Sequence, residues 1–247
     1  MDLFKSNNPV LKESTFEQAG QLDATERMTV NGVIGKLAFL LALLVAAAVY
    51  SWGQGIKGTS LMPFILGGAI GGFVLALIIT RKIEWAPYLV PAYALAEGLF
   101  LGAISMYYEM RFPGLVIQAV GVTFGVFMAM LVLYRARIIR ATERFKSIMF
   151  VAVSGIAIFY LIALVLRLFG MPMAFMHEGS ALGIGISVVT SGIAALCLIM
   201  DFDRIEEGVK YGAPKAYEWF GAFGLLVTLV WLYLEIIRLL SKLQSRN

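Results

Sequence analysis

Charge is scarce in this chain. Only 15% of its 247 residues are Asp, Glu, Lys or Arg, where an ordinary soluble domain carries about a quarter. Cysteine and histidine are scarcer still, at one each, Cys197 and His177. A lone cysteine excludes an intrachain disulfide. One Cys and one His far apart in the chain make neither a zinc site nor a Cys/His nucleophile. Gly183-Ile184-Gly185 is too short for a phosphate loop and does not follow a strand. An intramembrane acid protease needs two aspartates on facing helices, and the chain offers one, Asp201, opposite a glutamate. No enzyme activity and no cofactor are therefore expected.

What the chain has instead is hydrophobic length. Apolar residues make up 60% and mean hydropathy is +0.84, the composition of an integral membrane protein. A net charge of +4 needs no nucleic-acid partner, because basic residues of membrane proteins collect in cytoplasmic loops. Residues 1–29 are polar and mixed in charge, with no apolar stretch of the kind a cleavable signal carries, and read as a cytoplasmic tail. Within it, Ser14-Thr15-Phe16-Glu17 has the form of a capping box.

From residue 30 to 247 the chain reads as one all-α transmembrane domain. At about 20 residues per crossing, the apolar runs predict seven spans: Val30 to Trp52, Leu61 to Thr80, Tyr88 to Met106, Leu115 to Tyr134, Ile148 to Leu168, Leu182 to Met200 and Trp219 to Leu240. Lys36 lies near enough to the start of the first to snorkel to the headgroups. Gly67-Gly68 and Gly71-Gly72 in the second invite close approach of another helix.

Topology follows from the basic residues. Arg135, Arg137, Arg140, Arg144 and Lys146 fall together with only Glu143 against them, which puts that loop in the cytoplasm. With the amino terminus inside, fourteen Lys and Arg lie on the inner side and six on the outer. Three of those six, Arg238, Lys242 and Arg246, close the chain, so a re-entrant seventh span would change the count to seventeen against three.

The informative residues are the acids. A carboxylate in hydrocarbon needs a proton, a partner, water or a cation. Glu97 lies near the midpoint of span three and is expected to face the bundle interior. Asp201 stands one residue beyond the apolar run of span six, at the start of a charged connection; Asp203, followed by Arg204, reads as a helix-end residue in water. Glu235 lies deep in span seven, where it either pairs with Arg238 at i+3 or turns inward to meet the other acids. Two carboxylates held close cannot both ionise cheaply and can form a proton-operated latch.

Three stretches, in this order and spacing, carry a resemblance. They are Ala92-Tyr93-Ala94-Leu95-Ala96-Glu97-Gly98-Leu99-Phe100-Leu101-Gly102, Asp201 with Ile205, and Tyr233-Leu234-Glu235-Ile236-Ile237. The chain resembles the Bax inhibitor-1/YccA-like membrane proteins, and looks closest to their bacterial branch. That resemblance implies two three-helix layers around a central C-terminal helix, in a bacterial inner membrane. It also implies a pH-sensitive calcium leak governed by paired acids on spans six and seven and by an arginine ending span two. Matched by motif, these fall on Asp201, Glu235 and Arg81, with Glu235 standing where the family has aspartate. Asp201 and Glu235 are then the candidate calcium ligands, since hard cations take oxygen. The alternative from another class is a non-conducting regulator that binds a second membrane protein, such as a quality-control protease or a stress-response partner.

Overall fold

A computed structural model describes residues 27–171 and 180–246. His177 and the capping-box sequence of the tail lie outside them. The described residues form α1 (Val30–Ile56), α2 (Met62–Arg81), a single turn of 3-10 helix (Ile83–Trp85), α3 (Ala86–Arg111), α4 (Leu115–Arg135), α5 (Glu143–Leu168), α6 (Ala181–Lys210) and α7 (Ala216–Arg246). All seven helices are long and apolar enough to cross a membrane.

Local signals place the ends. The Thr29 side chain caps α1 by accepting from Gly32 N–H, and Ser180 caps α6 by accepting from Gly183 N–H. Prolines occupy the first turns of α2 and α3, where a missing N–H removes no helical bond. The α6–α7 connection turns at Gly212, whose φ of +67° lies in the left-handed region that suits a residue without Cβ.

The helices form two layers. On one side α1 and α2 pack against α3; on the other α4 and α5 pack against α6. Between the layers runs α7, touching α1, α3, α4 and α6. It is the most enclosed helix, with Leu225, Leu226, Leu229, Leu232, Ile236 and Ile237 buried around its circumference together with the polar Glu218, Thr228, Glu235 and Lys242. The outer helices instead expose Val49, Phe73, Ile117, Phe150 and Val151 to the bilayer.

The tightest contact joins α1 to α3. A Cβ on Gly98 would overlap the Leu44 carbonyl, and one on Gly102 would overlap the Ala48 carbonyl and Ser51. The backbones can meet there only because both positions lack side chains. In α2, Gly68 and Gly72 press on α3 in the same way, but Gly67 has open space beside it and Gly71 only ordinary contact. The expected glycine stripe is therefore half as wide as its sequence.

The largest departures from the hydropathy reading are in α6 and α7. The apolar run of span six stops at Met200, yet α6 continues unbroken to Lys210, so Asp201 and Asp203 lie inside a helix. Charge ended the apolar run without ending the helix, because neighbouring helices and solvent serve those side chains. Only residues 211–215 connect α6 to α7. The seventh helix is continuous over 31 residues, about 46 Å. It exceeds the roughly 30 Å hydrocarbon core, so α7 is long enough to cross fully and has no break at which a re-entrant segment would turn.

Candidate functional site

Carboxylates stand at three levels along α7. The first is Glu218, in its opening turn, only 1% exposed. Thr29 donates both its N–H and its hydroxyl to Glu218 Oε1, each at 2.9 Å, and Lys36 Nζ lies 2.5 Å from Oε2. The lysine also sits 5.3 Å from the centre of the Trp219 ring. A Cβ on Gly32 would collide with this carboxylate, so α1 comes within contact of the charge it neutralises. Lys36 thus reaches back towards the start of α1, where its partner is Glu218 of the adjacent helix. Beside this level, Met28 N–H donates to the Ala213 carbonyl at 2.7 Å, so the start of the bundle is strapped to the α6–α7 turn.

The middle level is Asp201 on α6. Thr228 of α7 donates its hydroxyl to Asp201 Oδ2 at 2.5 Å. Gly224, one turn earlier on α7, leaves room beside Oδ1. No Lys or Arg forms an ion pair with Asp201 among the described residues.

The third level is Glu235, also 1% exposed, where α5, α6 and α7 meet. Tyr160 donates to Glu235 Oε1 at 2.8 Å and Thr190 to Oε2 at 2.8 Å. Trp231 adds a donor at 3.3 Å and Arg238 one at 3.1 Å. Arg238 also donates to the Tyr160 oxygen at 2.7 Å, so the tyrosine passes a bond between cation and anion. One turn farther, Lys242 is 4% exposed and donates to the Gly183 carbonyl and to Ser187 Oγ, at 2.9 and 2.8 Å. The i+3 pairing with Arg238 and the inward orientation of Glu235 thus occur together.

Between the second and third levels the seam is apolar. Ala194, Ala195 and Leu198 of α6 and Leu232 of α7 are buried in the continuous core. A cation cannot cross that packing without displacing it.

The basic loop between α4 and α5 closes over the same end of the bundle as Glu218. Tyr134 donates to Glu206, and Arg137 pairs with Glu206 at 2.6 Å. Lys146 reaches Asp203 at 2.9 Å and Glu207 at 3.1 Å. Asp203 is thus tied to α5. Aromatic contacts of Phe202 with Phe127 and Tyr134 back this belt from the core side. Glu97 faces α2, where its carboxyl lies against Gly72, with Tyr93 as a hydrogen-bond partner. Tyr93 in turn meets Phe223 of α7 edge-on at 4.9 Å.

Residues 8–245 match the family model described as Bax inhibitor 1 like. The chain belongs to that family. No curated protein matches the chain. Within this Bax inhibitor 1 like bundle, the residues matched by motif do not come together. The side chain facing Asp201 is Thr228, and Glu235 lies seven residues farther along α7, about 10 Å. Arg81 is exposed at the end of α2, and among the described residues no hydrogen bond or ion pair connects it to either acid. The motif match misplaced the second acid because the register of two antiparallel helices depends on where α7 begins, at Ala216 rather than at Trp219. Thr228, Tyr160, Thr190, Glu218 and Lys242 escaped the sequence reading. Only Lys36, a charge well inside an apolar run, hinted at a partner such as Glu218.

Proposed function

We propose that this protein is a proton-sensitive cation leak, with calcium as the ion its oxygen ligands suit, and that Asp201 is the gating acid. One observation carries the reading. Of the three carboxylates along the central seam, Glu218 and Glu235 form ion pairs with Lys36 and Arg238, whereas among the described residues Asp201 forms none: it accepts from the Thr228 hydroxyl, and Arg204 acts on it only at a distance. A carboxylate without an ion pair and with a hydroxyl beside it draws a hard cation, and protonation removes that attraction. The form described here is closed, with Ala194, Leu198 and Leu232 buried along the seam. Opening requires α7 to move against α6, which breaks the Asp201–Thr228 bond. The basic loop after α4 supports a cytoplasmic amino-terminal end, and the membrane proposed is the inner membrane of a bacterium.

Calcium flux into dye-loaded liposomes holding only this protein tests the proposal. Flux that changes with pH in the native chain, and loses that dependence in Asp201→Asn, supports it. Undiminished pH dependence in Asp201→Asn removes Asp201 from the gate. No flux from any form favours the non-conducting regulator.

A further inference from the structure

A second feature lies on the face of α7 opposite Thr228 and Glu235. Between α1 and α4 the bundle is open laterally, and the opening leads into a groove of about 380 Å³ floored by α3 and α7. Its floor is buried: Leu101 of α3 and Leu226, Leu229 and Val230 of α7. Its rim is exposed, at Val45 and Val49 of α1 and Phe124 of α4. The polar atoms at its base are satisfied internally, since Ser105 and Tyr233 share a 2.6 Å hydrogen bond and the Thr123 hydroxyl donates to the Ala119 carbonyl. An occupant is therefore recognised by shape and apolar contact alone.

We infer that this groove holds one acyl chain of a membrane lipid, taken from the leaflet opposite the amino-terminal end. Position and length both argue for that occupant. On α1 the lining runs from Leu41 to Trp52, about 16 Å along the axis. One leaflet contributes about half of a 30 Å hydrocarbon core, so the groove matches the depth of one leaflet. It lies towards the ends where α1 and α3 finish and α4 starts, which places it in a single leaflet rather than across the midplane. The rim faces hydrocarbon, whose chains reach the opening without leaving the bilayer. A chain seated there touches Val230 and Tyr233, and so rests directly on the central helix.

Trp52 lines the groove and reports on it. The full-length protein is reconstituted in phosphatidylcholine vesicles containing increasing fractions of a lipid with dibrominated acyl chains, which quench indole fluorescence on contact. The part of the quenching lost in Trp52→Phe belongs to the groove. A single seated chain that exchanges with ordinary lipid makes that part follow the brominated fraction in direct proportion, as for one site per indole. Val120→Phe, from the α4 wall, and Val45→Phe, from the α1 rim, fill the groove from opposite sides and should each abolish that part. Two variants are used so that misfolding of one does not decide the matter. Quenching of Trp52 that rises more steeply than in proportion at low brominated fractions, as when several bulk chains reach the indole, overturns the inference. So does Trp52 quenching that survives unchanged in both filled variants, or protection of Trp52 from all quenching, which would mean that another protein surface covers the groove.

Discussion

Thr228 on α7 donates a 2.5 Å hydrogen bond to Asp201 on α6, and this pairing sets the register of the two helices that carry the acids. It places a hydroxyl where a paired-acid latch needs a carboxylate. A carboxylate and a hydroxyl do not titrate as a coupled pair at physiological pH, so the gate proposed above would involve one acid and not a shared proton.

Thr228→Asp should create the missing pair. Two carboxylates at this distance cannot both ionise cheaply, and the site should then bind a proton under conditions where the native chain does not. Calcium flux in liposomes should acquire a shifted pH response. Glu235→Gln, at a different level, should leave the native pH response in place. Identical profiles for Thr228→Asp and the native chain would show that the Asp201 level does not control flux.

Lys36→Met should destabilise the fold strongly, because it strands a Glu218 carboxylate that is almost wholly buried. Loss of one partner of a buried pair costs about 3 to 5 kcal/mol. Adding Glu218→Leu should recover much of the loss, since the stranded charge goes with it. Thermal or denaturant unfolding in detergent of the two single variants and the double variant measures the coupling. A Lys36→Met protein as stable as the native chain would mean that water reaches Glu218.

Gly98→Ala and Gly71→Ala should differ although both are glycines in spans. At Gly98 the new methyl meets the Leu44 carbonyl and forces α1 away from α3, a cost of about 1 to 3 kcal/mol. At Gly71 the nearest atom is the Ala96 Cβ at 3.9 Å, ordinary contact. That substitution should be neutral or stabilising by up to about 1 kcal/mol through helix propensity. Melting temperatures of the two variants decide it.

Arg140→Cys should resist membrane-impermeant thiol reagents applied to intact cells and react after permeabilisation. Five basic residues between Arg135 and Lys146 are costly to translocate. The native Cys197 lies inside α6 and is half-buried, so a signal at position 140 is distinguishable from background in a Cys197→Ser chain. Labelling without permeabilisation would invert the topology.

The amino-acid sequence by itself determined the class and the count of helices. Apolar runs of membrane length stand out from composition because hydrocarbon enforces them residue by residue, and the basic cluster after α4 is visible for the same reason. The sequence also marked Asp201, Glu235 and Glu97 as expensive side chains that need partners. Which partners they have was decided only by the tertiary structure. Hydropathy registers neither the face a residue occupies nor the sliding of one helix along another, so α6 ended too early at Met200 and the second acid fell at Glu235. Thr228 and Thr190 carry hydroxyls that mid-span ordinarily bond to their own helix, and nothing local distinguishes those that reach a neighbour. The pairing of Lys36 with Glu218 joins residues 182 apart, so it exists only once the first and last helices lie side by side.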